Sequence, residues 1–415
     1  MFSKMHSLMI VALLSSGAAF AQPGDVNMLP SARRADLNDE QARRLQQIES
    51  QPSSRRTEVV IATDEFLSRL QSSSQVQIRP FNERMIALGG TADSAASNFS
   101  WNGAAEPAPP SAGANTAGSS DSVLIIQGDS VTGTIDLGDS FIEIRPLGRG
   151  LHALTEVDRA TFPPEHPPSF RSRAGQTRDA PSIPLKDLND NRVTDISVVV
   201  AYTNQVAERV DDVRSLVALA IAQSNRSYVN SGVNIRLVLA GDPIHLNYNE
   251  SGSFDVDLDA FALRGDGKID EIHSLRDTRA ADIAVLLVNN RSYCGLARDI
   301  EVGADAAFAL VNFDCATRQY SFAHEIGHLQ GARHNPEADS APGYAHGYTD
   351  EVRRRRTIMG YPCNSSPLCP RELQWARPTE WGNAERSHDA RRLNETADYV
   401  SSFRGNPNMS DSPGR

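Results

Sequence analysis

The stretch HEIGHLQGARH, residues 324–334, places the tightest constraint on how this chain can fold. An α-helix turns once about every 3.6 residues, so His324 and His328 project from one face if this stretch is helical. Gly331 follows one turn later and can adopt the positive φ that ends a helix, which returns His334 to the same point from outside the helix. The spacing therefore predicts a helix, a sharp reversal and three imidazoles that meet at one ion.

Three neutral imidazoles leave the fourth position of a tetrahedral Zn²⁺ open for water, which is typical of a catalytic site. Glu325 points about 100° away from His324 around the helix, so it can lie beside that water without binding the metal. Zinc lowers the pKa of bound water toward ~7, and a nearby carboxylate can take the proton during attack on a carbonyl and pass it to the leaving amine. The pattern predicts one catalytic zinc ion and peptide-bond hydrolysis with Glu325 as general base.

Two other interpretations of the histidines are open. The first is a surface helix that carries unrelated histidines. The second is a secreted zinc-binding module that docks proteins without cutting them, although such a module has no need for Glu325.

These eleven residues resemble the extended zinc signature of the metzincin metallopeptidases. TIMGYP, residues 357–362, resembles the methionine turn of that family. The resemblance covers about 190–405, and more narrowly the chain is similar to the secreted bacterial peptidyl-Asp metalloendopeptidases, which are reprolysin-like. It implies zinc ligands, a general base and acid, a turn residue and a hydrophobic floor under the zinc. The residues that match the zinc ligands are His324, His328 and His334. Glu325 matches the general base and acid, Gly331 the turn residue and Met359 the hydrophobic floor.

Two positions depart from the reprolysin pattern. Asn335 stands where that branch usually has aspartate after the third histidine. Tyr361, two residues after Met359, is closer to the astacin and serralysin pattern, in which a tyrosine reaches the metal or the oxyanion. The resemblance leaves two interpretations of Tyr361 open, a catalytic tyrosine and a packed core tyrosine.

The resemblance also implies how substrate binds. In metzincins the edge strand before the active-site helix pairs with an extended substrate, and residues 306–312 are the predicted strand. A preference for Asp after the scissile bond requires a cation, and an arginine fork suits a carboxylate. The run 353–356 of arginines precedes the methionine turn, and Arg371 and Arg377 follow it, where the pocket wall usually runs. We predict Arg371 and Arg377 as substrate-binding residues, with solvated surface arginines as the alternative.

Shifts in composition divide the chain into residues 22–185 and 186–415. Residues 91–122 are rich in Ala, Ser, Gly and Pro and predict a disordered linker, 123–158 are β-rich, and 161–182 form a linker rich in Pro and Arg. From residue 186, strands alternate with helices, which predicts an α+β domain with a twisted mixed sheet, packed helices, the active-site helix and the methionine turn.

The first 22 residues, MFSKMHSLMIVALLSSGAAFAQ, predict a secretory signal peptide over 1–21, with Lys4, an apolar core and an Ala-x-Ala cleavage site. A buried N-terminal helix is the alternative. Export exposes the cysteines to an oxidising compartment. Three pairings of the four cysteines are open, and short loops favour two disulfides. These join Cys294 to Cys315 and Cys363 to Cys369.

Residues 22–185 are predicted to be a propeptide that acts as an intramolecular inhibitor. This segment contains no cysteine, so latency requires another ligand or a steric block. Glu165 and His166, in PPEHPP, are chemically able to supply that ligand, and His152 is a weaker candidate. Ordinary polar residues of a linker are the alternative. Candidate cleavage sites are Arg171, Arg173 and Arg178.

The remaining sequence features exclude some classes of binding partner. The formal net charge of −11 argues against nucleic acid, because phosphate binding needs a basic face. No stretch after the signal peptide is long and apolar enough to cross a bilayer. Residues 187–195 and 264–271 partly resemble calcium loops, but neither has the full pattern, so turns are the simpler interpretation and Ca²⁺ has no support. Protein or peptide substrates are the expected partners.

Overall fold

The structure is a computed structural model that describes residues 26–72, 75–93, 99–105, 121–137, 140–166, 183, 185–364, 369–378 and 380–405. The predicted signal peptide and the three arginines proposed as cleavage sites lie outside these residues. Two parts are distinguished below, an N-terminal region (26–166) and a C-terminal region (185–405).

The N-terminal region is built on one antiparallel sheet of eight strands, in the order β1-β8-β7-β6-β5-β4-β3-β2. In chain order the strands are β1 Ser54–Ile61, β2 Val76–Ile78, β3 Ile86–Asp93, β4 Phe99–Ala105, β5 Asp121–Gln127, β6 Ser130–Asp136, β7 Phe141–Gly148 and β8 Leu151–Val157. Two helices pack on this sheet, α1 Asp39–Glu49 and α2 Asp64–Gln71. The predicted β-rich segment before the catalytic domain is confirmed.

The prediction of a disordered linker over 91–122 is wrong for the residues that the structure describes there. Strand β4 lies within this stretch and pairs with both β3 and β5. Trp101 is fully buried, and a Cβ added at Gly103 would lie 2.2 Å from its ring. The missing side chain of Gly103 leaves room for the indole to pack on the sheet. Trp101 thus buries a large apolar surface, although the average composition of the segment is dominated by small residues.

The C-terminal region holds a second sheet, in the order β10-β9-β12-β14-β13, with β11 beside β9. Its strands are β9 Thr194–Tyr202, β10 Ile235–Leu239, β11 Ile244–His245, β12 Ile283–Val288, β13 Gly295–Ala297 and β14 Phe308–Asn312. The strands run parallel except β13, and β12 is buried on both faces, as its unbroken apolar run requires. A short ribbon follows, formed by β15 Thr349–Asp350 and β16 Arg355–Arg356.

Helices cover both faces of this sheet. They are α3 Asn204–Ala207, α4 Val213–Ser231, α5 Phe254–Ala262, α6 Glu271–Thr278, α7 Phe313–Arg318, α8 Ser321–Leu329 and α9 Asp389–Ser401. Short 3₁₀ helices occur at Arg34–Asp36, Pro80–Asn82, Arg159–Thr161 and Ala304–Ala306. The α+β class predicted from the sequence is confirmed. In the part of the chain that the structure describes, no helix combines the length and apolarity that a membrane span needs.

The predicted edge strand is misplaced. Strand β14 matches residues 306–312, but it lies inside the sheet between β12 and β13. The edge is β13, which has only three residues. A strand that short carries no readable alternation, so sequence periodicity cannot reveal it.

The interface between the two regions combines an apolar cluster with buried ion pairs. Arg318, on α7, is fully buried and pairs with Glu143 on β7 at 2.6 Å and with Asp314 at 2.9 Å. Ser53 donates a hydrogen bond to Asp314 across the same interface at 2.8 Å. Next to it, helix α4 packs on β5 and β6, and Arg226 pairs with Asp121 at 3.1 Å. In the Arg318–Glu143 and Arg226–Asp121 pairs, the N-terminal region supplies the carboxylate and the C-terminal region supplies the guanidinium group.

Replacing Arg318 with Met should lower the free energy of unfolding of the full-length chain by about 2–3 kcal/mol, because two carboxylates stay buried with fewer partners. The shift of the urea unfolding midpoint measures this loss. Arg236→Met is the matched control, since Arg236 forms an exposed ion pair with Asp195 at 2.6 Å. Its expected cost is below about 1 kcal/mol. Equal losses in the two variants would show that the buried pair contributes no more than a surface pair.

Candidate metal centre

Helix α8 and the turn after it position the three predicted ligands. His324 and His328 lie one turn apart on α8, and the helix ends before Gly331, whose φ is +102°. The reversal there brings His334 back to the other two imidazoles. All three rings are buried, with His334 the most exposed at 2%. The structure thus brings together the cluster that the spacing predicts.

Backbone carbonyls set the tautomer of these rings. His324 Nδ1 donates to the Ile358 carbonyl at 2.7 Å, and His328 Nδ1 donates to the Ala332 carbonyl at 2.9 Å. Because a carbonyl oxygen can only accept, each Nδ1 carries the proton and each Nε2 presents a lone pair. Burial lowers the pKa of both histidines well below the ordinary value, which keeps the rings neutral. The two imidazoles are therefore in the form that a metal requires.

A fourth imidazole, that of His166 from the N-terminal region, joins the cluster. Its Nε2 lies 2.9 Å from His324 Nε2 and 3.1 Å from His328 Nε2. His334 Nε2 lies 3.3 Å from His324 Nε2 and 3.0 Å from His328 Nε2. Four ligands about 2.0–2.1 Å from a tetrahedral zinc ion stand roughly 3.3 Å apart, close to these separations.

The donor set fits a divalent cation. His166 Nδ1 donates to the Gly295 carbonyl at 3.1 Å, so its Nε2 also presents a lone pair. The Nε2 atoms of His166, His324 and His328 therefore have no proton to share and repel one another at these distances unless a cation lies between them. Neutral imidazoles in tetrahedral array are typical zinc ligands.

Glu325 lies beside the cluster without joining the four imidazoles. Its carboxylate is fully buried, 3.7 Å from His166 Nε2. Burial, together with the nearby Glu165, raises the pKa of Glu325 well above its ordinary value. Gly295, on the edge strand β13, makes room for it, because a Cβ there would lie 2.3 Å from Glu325 Oε1. The position agrees with the general base expected from the sequence.

Replacing Gly295 with Ala should reduce kcat by about 10²-fold, because the added methyl group displaces the Glu325 side chain while the backbone keeps its fold. Steady-state kinetics of the variant, with its bound-metal content and circular dichroism, measure this. Gly303→Ala is a suitable control, because the nearest atom to its added Cβ is 3.7 Å away. Normal kcat in Gly295→Ala would contradict the tight fit between strand and carboxylate.

The methionine turn forms the floor of the centre. Met359 and Trp375 are fully buried against the Gly327 face of α8, where an added Cβ would lie 2.6 Å from the indole. Asn335, the departure from the reprolysin pattern, accepts a hydrogen bond from the Tyr361 amide at 2.9 Å and so ties the loop after the third histidine to the turn. The Tyr361 ring lies 4.3 Å from the His334 ring, centroid to centroid.

Of the two predicted substrate arginines, the structure brings only Arg371 to the centre. It is fully buried and pairs with Glu165 at 2.9 Å. The Glu165 carboxylate, the His324 ring and the Glu325 carboxylate offer atoms within 4.8 Å of one another. Arg377 is exposed, and its amide donates to the Trp381 carbonyl, so the structure does not bring Arg377 to the centre and its role in substrate binding stays a prediction. Both arginines follow the turn in sequence, but only Arg371 forms a β-bridge with the buried residue Arg356.

Arg356, from the arginine run before the turn, also belongs to this pocket. Its side chain is buried and donates to the Cys369 and Gly360 carbonyls. Burial and the neighbouring Arg371 lower the pKa of Arg356 to about 9. Although burial opposes ionisation, Arg371 and Arg356 hold the pKa of Glu165 below its ordinary value. The pocket therefore holds two buried guanidinium groups around one carboxylate.

Other residues of the site had no signal in the sequence. His346 Nδ1 contacts the His334 carbonyl at 2.7 Å and supports the loop of the third ligand. The spacing of His346 from the other histidines of the sequence matches no metal-ligand pattern.

His152, the weaker latency candidate, lies away from the metal centre. Its Nε2 accepts from the Val131 amide at 2.9 Å inside the N-terminal sheet, so it does not act at the centre.

Both favoured disulfides are confirmed, Cys294–Cys315 and Cys363–Cys369. The first joins the residue before β13 to helix α7. The second joins two cysteines six positions apart after the methionine turn.

The helix, the turn after it and the floor beneath define a metallopeptidase of the metzincin class. Comparison with known proteins narrows this class. The family described as Reprolysin_5, metallo-peptidase family M12, matches residues 192–372. A peptidyl-Asp metalloendopeptidase of Stenotrophomonas maltophilia (strain K279a) is 41% identical over 303 residues, which cover 68% of this chain and 70% of the relative.

A peptidyl-Asp metalloendopeptidase of Xanthomonas campestris pv. campestris is 36% identical over 427 aligned residues, covering 96% of this chain and 97% of the relative. The chain belongs with these proteins to metallopeptidase family M12 and is a metalloendopeptidase, which confirms the resemblance. The crystal structure of metalloproteinase-II from Bacteroides fragilis is 12% identical with a TM-score of 0.40, covering 74% of this chain and 90% of that one.

Proposed function

We propose that this protein is an exported zinc endopeptidase, made as a zymogen, that cuts peptide bonds on the amino side of Asp. The observation that carries the proposal is the cluster of inward-facing Nε2 atoms with the buried Glu325 beside it. His324, His328 and His334 would hold the ion, and His166 belongs to the zymogen. When bound, zinc polarises the scissile carbonyl and makes water acidic enough to be deprotonated near neutral pH.

The remaining steps belong to the chain's own residues. Glu325 takes the proton from the attacking water and passes it to the leaving amine. In the processed enzyme, the outer edge of β13 receives the substrate backbone by strand addition, next to the general base. Tyr361 packs against the third imidazole, and a contact of its hydroxyl group with the oxyanion stays a prediction.

The buried arginines support the choice of Asp. Once the N-terminal region is removed, Arg371 and Arg356 lose Glu165, the only carboxylate paired with Arg371 among the described residues. Two guanidinium groups left without this carboxylate favour a substrate carboxylate in its place. The names of both relatives state cleavage at Asp, which agrees with such a pocket.

Export and a zymogen form are the remaining parts of the proposal. The leader-like first 21 residues and the two disulfides support an oxidising compartment outside the cytoplasm. The N-terminal region covers the centre, which supports its role as a propeptide spanning residues 22–185.

Removing the metal should abolish activity, and one equivalent of zinc should restore it. The test treats the secreted, processed enzyme with a chelator, dialyses it, and measures casein hydrolysis with and without added Zn²⁺. The cut sites are then read by mass spectrometry of a proteome digest. Full activity in the metal-free enzyme would reject the zinc mechanism, and cuts before bulky apolar residues would reject the Asp preference.

A further inference from the structure

A short peptide of the N-terminal region enters the metal centre along the substrate-binding edge. The Cys294 amide donates to the Pro164 carbonyl at 2.9 Å, and the Gly295 amide donates to the Glu165 carbonyl at 3.1 Å. His166 Nδ1 donates to the Gly295 carbonyl at 3.1 Å. Residues 164–166 therefore use the backbone groups that the proposed function assigns to substrate.

The His166 imidazole occupies the fourth corner of the cluster. Its Nε2 faces His324 and His328 at 2.9 and 3.1 Å, and its Nδ1 proton is committed to Gly295. Its ring centroid is also 4.9 Å from that of His334. Four imidazoles complete a tetrahedral zinc site, and a complete site has no position for water.

The neighbouring side chain fills the carboxylate pocket. Glu165 pairs with Arg371 at 2.9 Å, and Ser321 at the start of α8 donates to its other oxygen at 3.4 Å. Glu165 is 8% exposed and Arg371 is fully buried, so solvent screens this pair little. Of these two consecutive residues, His166 thus occupies the metal position and Glu165 occupies the pocket proposed to bind the substrate Asp.

This peptide is fixed at its N-terminal flank. Arg291 donates to the Thr161 carbonyl at 3.1 Å, and the same guanidinium group pairs with Asp314 at 2.8 Å. Asp314 in turn binds Ser53 of the N-terminal region. The docking of the whole region therefore holds Glu165 and His166 in place, which a free tail cannot do.

We propose that His166 is the fourth zinc ligand of the uncut chain and that Glu165 stands in for the substrate Asp, so that residues 164–166 silence the enzyme at two points. This inference rests on the zinc peptidase proposed above and specifies how that site is regulated. Loss of the imidazole opens the metal to water, and loss of the carboxylate frees the pocket.

Zinc X-ray absorption spectroscopy of the uncut chain tests the coordination directly. The full-length chain carries Glu325→Gln so that it stays uncut, and it is loaded with one equivalent of zinc. We expect scattering from four imidazole rings. Adding His166→Ala should reduce the number to three rings and one oxygen ligand. His245→Ala is the matched control, because it removes an exposed histidine of the C-terminal region and should leave four rings.

The outcomes separate the two proposals. Three rings in the uncut parent, or four that persist after His166→Ala, would overturn the inference and leave the zinc peptidase intact. An uncut chain without zinc, beside a processed enzyme that depends on zinc, would also overturn only the inference. Absence of zinc from both forms would overturn the proposed function as well.

A peptide experiment does not depend on the folding of any variant. The amidated hexapeptide TFPPEH, residues 161–166, should inhibit the processed enzyme competitively. Replacing its histidine with alanine should raise the inhibition constant at least about 100-fold, and replacing its glutamate with glutamine about 10-fold. Equal inhibition by the three peptides would overturn the two-point assignment.

Discussion

The processed Glu325→Gln enzyme should bind one zinc ion per chain and lose about 10²–10⁴-fold in kcat, because the amide cannot accept the proton of the attacking water. Glutamine has nearly the same shape as glutamate, so the space beside Gly295 and the positions of the three histidines should be kept. Initial rates on a fluorogenic peptide and zinc analysis of the same sample make the measurement.

The control for this variant is an acidic residue of similar burial outside the centre. Glu395 is 3% exposed and pairs with Arg391 at 2.8 Å, so Glu395→Gln tests the general effect of a lost buried charge. We expect it to affect stability and leave kcat within about twofold. An active Glu325→Gln enzyme would mean that another group takes the proton.

The processed Arg371→Gln enzyme should lose about 10²–10³-fold in kcat/KM on peptides with Asp after the scissile bond. Truncating one partner of a buried charge pair costs about 2–5 kcal/mol, and about 1.4 kcal/mol corresponds to tenfold. Matched peptides with Asn at that position offer no charge, so their kcat/KM should change by less than about threefold. The ratio of the two values isolates the carboxylate contact.

Two further variants sharpen this measurement. Arg377→Gln is the matched control, because Arg377 is exposed and should leave the Asp to Asn ratio within about twofold. Arg371→Lys keeps the charge but loses the planar fork, so it should fall between the parent and Arg371→Gln. If Arg371→Gln slows both peptides equally, Arg371 supports the fold of the pocket and does not select the substrate.

The parts of the centre that the sequence predicted are those encoded locally. His324, His328, Gly331 and His334 lie within eleven residues, and helix geometry together with the reversal at Gly331 brings the three imidazoles together. The disulfides followed from short loops in the same way. Arg371 and Arg377 were equally good candidates, because both follow the methionine turn in sequence. Only the burial of one and the exposure of the other separates them.

The parts that the sequence left open depend on distant contacts. His166 meets His324 across 158 residues, and nothing in PPEHPP distinguishes a ligand from a linker histidine. The edge strand β13 is three residues long and is recognised only through its pairing with β14. Strand β4 depends on Trp101 packing over glycines. In each case tertiary packing determines the structure, and local composition carries little of that information.

The interface between the two regions has a consequence for activation of the proposed zymogen. A cut anywhere after His166 breaks the chain but leaves the contacts of Arg318, Arg226 and Arg371 in place. Cleavage then turns a tethered inhibitor into a bimolecular complex, whose dissociation follows mass action. Because an apolar cluster and buried ion pairs that salt screens little hold this complex together, dilution should speed the appearance of activity after the cut, and concentrated enzyme should stay inactive long after the peptide bond is cleaved.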